Sequence, residues 1–249
     1  GRPVIFQAGD SEAGREFAAS AADAIFTRHG TLEAGRAFYA DVKNRLARYG
    51  RSRDELKILP GVTFVLGDTE ADAHERARVI RHQQVSGQTA IRLLEQLWNR
   101  DLSAYDPDGP LPQVDPLVGE NTVAQGRASV RMHRDPVAVA TEWRALAEAK
   151  QLSIRELIVE VTGRQSFIGT PAQVAEALNE FVQTDASDGF ILAPHLTPGG
   201  LDEFADTVVP LLQERGVFRT EYEGETLRDH LGLDAPRPVR PRDAVGAAS

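Results

Sequence analysis

Cysteine is absent from this sequence of 249 residues, which excludes disulfides, thiolate metal sites and cysteine nucleophiles. Long apolar runs are absent too, because no stretch of about 18 uncharged apolar residues occurs. The opening "GRPVIFQAGD" has neither the basic leader nor the apolar core of a signal peptide. We therefore expect no membrane partner, and a cytoplasmic location is permitted. Since no initiator Met is present, we expect either processing or a longer parent chain.

A concentrated basic region is also missing. The formal charge of −9 comes from 37 acidic and 28 basic residues, and the bases are mixed with acids, as in "TEADAHERARVIRHQQ". Because phosphate backbones are bound by a concentrated basic face, we expect no nucleic-acid partner. With 41% apolar and 26% charged residues, the composition is typical of a globular protein.

Strand and helix patterns alternate over the first third of the chain. The apolar run 3–8 predicts a strand, and the following helix places Phe17, Ala18 and Ala21 on one face. Residues 22–28 predict a second strand, and Thr31 caps a second helix that ends at Gly50. Its apolar stripe comprises Leu32, Ala34, Phe38, Val42 and Leu46.

A third unit follows. Residues 56–67, "LKILPGVTFVLG", predict a strand that Pro60-Gly61 kinks or bulges. Thr69 and Asp72 have the spacing of a capping box for the next helix. From 83 to about 165 the repeat is interrupted, and this segment is predicted to be an insertion that can serve as a lid.

Within the insertion, residues 113–135 have little pattern, whereas 136–151 and 153–163 predict helices, the second with a capping box formed by Ser153 and Glu156.

The next clear signal of a helix start is at Thr170. This residue is predicted to cap a helix that has Pro171 in its first position and Gln173 three residues after the cap. "SDGFILAP", 187–194, is the fourth strand candidate. An amphipathic helix over 201–216 is expected to kink at Pro210. The Pro- and Arg-rich residues 236–249 are predicted to form a disordered tail.

Strands that alternate with helices predict a parallel α/β sheet with right-handed crossovers, either an open sheet or a barrel. The length suits a complete (β/α)₈ barrel, but four strand candidates are too few for one. Four such units leave two open sheet edges that another segment must cover.

The turn Gly9-Asp10-Ser11 lies between the first strand and the first helix, on the side where parallel α/β folds bind ligands. Two interpretations remain open. Ser11 can simply cap the helix, which the pattern alone favours. Alternatively, its hydroxyl and the helix N-terminus can receive a phosphate. Asp10 counts against an anion unless its carboxylate points away.

The six histidines do not have the spacing of a metal site, so we expect none. His195, just after the fourth strand, lies where a barrel places its chemistry, although a surface loop position is favoured. Walker, Gly-x-Gly-x-x-Gly and Gly-x-Ser-x-Gly motifs are absent.

Seven blocks of this sequence resemble the flavin-dependent monooxygenases of the nitrilotriacetate, EDTA and dibenzothiophene-sulfone group, within the bacterial-luciferase-like superfamily. The blocks occur in the same order, up to about Leu233. They are "GRPVIFQAGDSEAGREFAA", "ADAIFT", "TLEAGRAFYADVKNRLARYGR", "LKILPGVTFVLGDTEADA", "DLSAYDPDGPLP", "FIGTPAQVAEALNEF" and "DGFILAPHLTPGGLDEFADTVVPLLQERGVFRTEYEGETLRDHLGL".

The resemblance implies the C-terminal half, strands five to eight, of a luciferase-like (β/α)₈ barrel over residues 1–235. It implies a small organic substrate, O₂, and reduced FMN supplied by a separate NAD(P)H flavin reductase. The turn after strand five contacts the FMN phosphate in this family, which assigns that role to Gly9, Asp10 and Ser11. Relatives often carry Ser or Ala where Asp10 stands, so we expect its backbone N–H to face the phosphate.

The resemblance assigns no catalytic residue, because the family's other flavin contacts lie on strands that these blocks do not include. Two alternatives to a working enzyme remain. One is a non-catalytic fragment that retains only an FMN-phosphate cup, and the other is a half-barrel that needs a partner. That partner would be either a complementary half-barrel or a second copy in a homo-oligomer.

Overall fold

The computed structural model describes residues 2–29, 31–118, 135–162 and 166–235. The strands in this part of the chain are β1 (Phe6–Ala8), β2 (Ala24–Thr27), β3 (Lys57–Leu66), β4 (Ser166–Gly169) and β5 (Ile191–Leu192). The helices are α1 (Glu12–Ala21), α2 (Leu32–Leu46), α3 (Glu70–Gln84), α4 (Gly87–Trp98), α5 (Pro136–Lys150), α6 (Ile154–Thr162), α7 (Pro171–Gln183), α8 (Asp202–Thr207), α9 (Val209–Glu214) and α10 (Leu227–His230). No helix among these described residues is long and apolar enough to cross a membrane.

The chain divides into two compact units, Gly1–Phe64 with Pro171–Ser249, and Val65–Thr170. In the first unit, β1, β2 and the start of β3 lie side by side, all parallel. Phe6 is opposite Ala24, and Ala24 is opposite Lys57. β5 also runs parallel to β3. The predicted parallel sheet is therefore confirmed, although β5 has only two residues where the sequence suggested a strand over 187–194.

Pro60 and Gly61 lie within β3, which continues through them. Pro60 is the last residue of β3 to pair with β2, and Gly61 is the first to pair with β5. Glycine is required here, because a Cβ on Gly61 would lie 2.5 Å from the Phe26 ring. The pair thus marks a change of partner along β3.

The core of the first unit forms where α1 and α2 pack together beside the strands, with Ile25, Val42 and Ile58 fully buried. The sequence stripes were partly wrong. Phe17 is 59% exposed, whereas Ala18 and Ala19 are buried, because small side chains allow close packing on that face. On α2, Ala34 is exposed and Gly35 is buried instead. There a Cβ would lie 3.1 Å from Ala186.

An aspartate fastens the amino ends of β1 and β2. The Asp23 carboxylate accepts the Ile5 N–H at 2.9 Å and two bonds from the Arg228 guanidinium, at 2.9 and 3.1 Å. Arg2 adds a fourth bond at 2.8 Å. Burial alone would raise the pKa of Asp23, but Arg228, the Ile5 amide and Arg2 outweigh it and lower that pKa.

A second aspartate fastens β3 near the start of β5. The Asp188 carboxylate accepts the Ile58 N–H at 2.7 Å and the Tyr39 hydroxyl at 3.0 Å. The Lys43 ammonium lies 2.8 Å from the same carboxylate, and the Lys43 side chain is 1% exposed. Burial lowers the pKa of Lys43, and Asp188 partly opposes that shift. Lys43 also donates to the carbonyls of Arg53 and Leu56.

The second unit has its own core. Within it α4 packs against α5 and α6, around fully buried Trp98, Leu94 and Leu157. β4 lies beside the end of β3, and the Gly67 N–H donates to the Gly169 carbonyl. β4 was not predicted from the sequence. It has only four residues, and they directly precede the strong helix-start pattern of α7.

Several predicted boundaries are confirmed. Thr31, Thr69 and Ser153 each accept a backbone N–H at the start of a helix, and α7 begins at Pro171. The predicted helix over 201–216 is divided at Val208 into α8 and α9 beside Pro210. The tail predicted over 236–249, and most of the unpatterned stretch 113–135, lie outside the described residues.

We expect Lys43→Met to lower the free energy of unfolding by about 3 to 5 kcal/mol, because it leaves a partly buried carboxylate without its cation. Urea unfolding followed by circular dichroism measures this. Arg53→Met is the matched control, since Arg53 pairs with Asp185 at 3.3 Å with both side chains exposed. Its cost should stay below about 1 kcal/mol. Equal costs for the two variants would contradict a structural role for the buried pair.

Candidate functional site

The turn Gly9-Asp10-Ser11 joins the carboxyl end of β1 to the amino end of α1. Ser11 is the N-cap, and its Oγ accepts the Gly14 N–H at 3.1 Å. This confirms the cap interpretation, which does not exclude a ligand. Ser11 is exposed, and a hydroxyl that accepts one bond can still donate its own proton.

The start of α1 offers further donors. The first N–H groups of a helix have no partner within the helix, and Ser11 satisfies only that of Gly14 among them. Glu12 and Ala13 are exposed. Gly14 is part of this geometry, because a Cβ there would lie 2.9 Å from the Gly9 carbonyl oxygen and 3.1 Å from Ser11 Oγ. Gly14 was not predicted as a site residue, although its position three residues after the cap could have indicated it.

The Asp10 side chain is turned toward β2. Its Oδ1 accepts the Thr27 hydroxyl at 2.8 Å, and Thr27 is 1% exposed at the end of β2. The parallel register, which sets Ala8 opposite Phe26, brings these two strand ends together. Thr27 was not predicted as a site residue. Its position at the end of the strand next to β1 could have indicated it, because neighbouring parallel strands end at the same edge of a sheet.

Arg15 holds the same turn from α1. Its Nε donates to the Asp10 carbonyl at 2.9 Å, and its Nη1 lies 2.8 Å from Asp41 Oδ2. The guanidinium lies 4.9 Å from the centre of the Phe38 ring, so one cation is fixed by a carbonyl, a carboxylate and an aromatic face.

His29, just after β2, also packs against Phe38. Its ring centre lies 5.0 Å from that of Phe38, and the residue is 7% exposed. Burial lowers the pKa of the imidazole, although Asp10 and the backbone at Arg28 partly oppose that shift. His29 is therefore neutral at pH 7, and it adds no positive charge beside the turn.

Gln7 in β1 lies close to the turn. Its Oε1 is buried and, among the described residues, has no hydrogen-bond partner. A Cβ on Gly9 would lie 3.2 Å from Gln7 Nε2. A buried amide oxygen without a donor is costly unless something else supplies one.

Two other features lie in different segments of the chain. His195 lies in an exposed loop after β5. In the second unit, a cleft of about 860 Å³ lies beside the end of α4. Its Arg92 pairs with Glu95, and its Arg100 donates to the Asp115 carbonyl. The described residues contain no group of three or more side chains suited to a metal ion.

We expect His29 to make stability depend on pH. Its folded pKa lies below its ordinary value of 6.5, so the unfolded chain binds the proton first as pH falls. The contribution of neutral His29 to the free energy of unfolding is therefore fully present above pH 6.5 and is lost as the pH falls below that value. When the pH is lowered from 7.5 to 5.5, the urea concentration at the unfolding midpoint should decrease in the native chain. The decrease should be smaller in His29→Gln. Equal slopes for the two proteins would contradict burial of a neutral imidazole.

Comparison with known proteins adds an independent finding. A family model described as luciferase-like monooxygenase matches residues 1–188. This confirms the resemblance inferred from the sequence blocks.

Curated relatives agree with that match. Nitrilotriacetate monooxygenase component A from Aminobacter aminovorans is 41% identical over 252 residues, which cover 100% of this chain and 51% of that protein. Dibenzothiophene-sulfone monooxygenase from Rhodococcus erythropolis is 37% identical over 237 residues, which cover 95% of this chain and 50% of that protein. This chain thus spans about half the length of these relatives.

A solved structure is also similar. EDTA monooxygenase from Chelativorans sp. BNC1 matches with a TM-score of 0.60 at 29% identity, over 94% of this chain and 52% of that one. The α/β fold with its parallel sheet therefore corresponds to about half of a larger relative.

Proposed function

We propose that this chain, which belongs to the luciferase-like monooxygenase family, forms strands five to eight of a (β/α)₈ barrel that uses FMN to oxygenate a small organic substrate with O₂. The turn Gly9-Asp10-Ser11 carries this proposal. It combines an exposed hydroxyl and an exposed helix N-terminus at the carboxyl edge of a parallel sheet.

The residues at this turn fit a phosphate. The Ser11 hydroxyl and the first N–H groups of α1 would donate to it, and the positive end of the helix dipole favours its charge. Gly14 keeps the approach open, since a Cβ there would crowd the Gly9 carbonyl and Ser11. Gln7 offers a buried amide oxygen to a donor on the bound molecule.

The chemistry divides between cofactor and protein. Reduced FMN, delivered by a separate NAD(P)H flavin reductase, would supply the electrons for oxygen activation. The residues of this chain bind and orient the cofactor through its phosphate. We propose no catalytic side chain for this half of the barrel. We further propose that residues 83–165 set substrate choice, because α4, α5 and α6 fold around a core of their own.

The outer edge of β1 supports the need for further strands. In the described part of the chain β1 is an end strand, and Ile5 and Phe6 beside that edge are 38% and 48% exposed. An exposed apolar edge is normally covered. We propose that a complementary half-barrel covers it and that a second copy of this chain is the alternative.

A second candidate function follows from the same half-length match. The chain can act as a non-catalytic unit that keeps only the phosphate cup. This candidate predicts flavin binding through the phosphate and no turnover with any partner, so turnover after addition of the complementary half separates the two.

We expect FMN to raise the melting temperature of this chain more than riboflavin does, because riboflavin lacks the phosphate. Ser11→Ala should abolish most of that difference and cost about 1 kcal/mol of stability as a lost cap. The matched control is Ser86→Ala. Ser86 caps α4 through an equal 3.1 Å bond to the Thr89 N–H, so its variant should lose similar stability and keep the response to FMN.

Equal shifts with FMN and riboflavin in the native chain would contradict the phosphate site. A phosphate response that survives Ser11→Ala would show that Ser11 is not its ligand.

We also expect the isolated chain to give no turnover with reduced FMN, O₂ and either nitrilotriacetate or dibenzothiophene sulfone. Half of the barrel cannot enclose the cofactor, so oxygen uptake should not be coupled to product. Sedimentation shows whether the chain is a monomer under the same conditions. Full activity in a monomer of this chain would overturn the half-barrel proposal.

A further inference from the structure

Asp10 poses a problem for an anion site. Its carboxylate belongs to the residue before the cap, and aspartate side chains readily accept the N–H groups of a following helix turn. In that position the carboxylate would compete with a phosphate for the same donors and would repel it. A working cup must keep this side chain away from α1.

The structure contains a contact that does so. The buried Thr27 hydroxyl donates to Asp10 Oδ1 at 2.8 Å, a bond strengthened by the charge of its acceptor. Thr27 is 1% exposed, and β2 pairs with both β1 and β3 through it and its neighbours. The donor is therefore fixed in position, whereas Asp10 itself is exposed.

The backbone of Asp10 is held as well. Arg15 Nε donates to its carbonyl at 2.9 Å, and Arg15 is itself fixed by Asp41 at 2.8 Å. With the carbonyl held by α1 and the carboxylate by β2, little freedom remains at residue 10. Among the described residues, the hydrogen bond that restrains the carboxylate itself comes from Thr27.

We propose that Thr27 is a positioning residue that keeps the Asp10 carboxylate out of the phosphate cup. This role rests on the proposed function, since it requires the turn to receive the FMN phosphate. Thr27 does not touch the phosphate. It acts through Asp10, and its effect is selective for ligands that carry a phosphate.

The test compares FMN with riboflavin by fluorescence titration of the full chain. The measured quantity is the phosphate preference, defined as the dissociation constant of riboflavin divided by that of FMN. Thr27→Val keeps the shape of the side chain but removes the donor, and it should lower the preference about fivefold. Thr27→Ser, which retains the hydroxyl, should keep the native preference.

Asp10→Asn provides the decisive control, because it removes the charge that Thr27 restrains. Alone it should raise the preference about twofold, because it removes a negative charge near the phosphate, and in the Thr27→Val background it should restore at least most of the native value. A merely structural role for Thr27 would not be rescued by a change in charge at Asp10.

The outcomes separate the two proposals. If the native chain shows no preference for FMN, the proposed phosphate site fails. If the native preference persists in Thr27→Val, or if Asp10→Asn does not restore it, the role of Thr27 is overturned. Should Thr27→Val not fold, Asp10→Glu tests the same contact at an exposed position. The added methylene moves the carboxylate off the Thr27 hydroxyl, and an unchanged preference would overturn the proposal.

Discussion

Two aspartates, Asp23 and Asp188, hold the amino ends of the parallel strands in register. Each accepts a backbone N–H near the start of a strand, that of Ile5 just before β1 in one case and that of Ile58 in β3 in the other. Parallel strands are joined by long crossovers, so no tight turn sets their alignment as it does in a hairpin. The edge that carries the candidate site depends on these bonds. If β1 slipped by one residue, Thr27 would face a different side chain from Asp10.

These hydrogen bonds place charged side chains in the interior of the protein. Asp23 is 4% exposed at its side chain and is balanced by Arg228, while the Lys43 that balances Asp188 is 1% exposed. Taking ions out of water is costly, and only well-placed partners compensate. Both cations also reach their carboxylates from helices, Lys43 from α2 and Arg228 from α10. The same bonds that align the strands therefore fix the helices on them.

Local signals in the sequence predicted many of the helix starts and strands of this fold. Contacts between segments that are distant in the sequence were not predicted. Helix starts at Thr31, Thr69 and Ser153 depend on neighbouring residues and were predicted correctly. The Ser11 cap is of the same kind. By contrast, the bond from Thr27 to Asp10 spans two strands whose register the sequence does not encode locally. Phe17 was misplaced for a related reason, because periodicity cannot tell which neighbour a helix face will meet.

The division of the first unit along the chain has a consequence for biosynthesis. Asp23 and Arg228 are 205 residues apart, whereas residues 65–170 form a continuous unit between them. At ribosomal rates of about 5 to 20 residues per second, Arg228 is synthesised roughly 10 to 40 seconds after Asp23. Until then the Asp23 carboxylate lacks the two bonds from Arg228, and water must take their place. Translation as far as Arg228 is thus a condition for closing the unit that contains the candidate site.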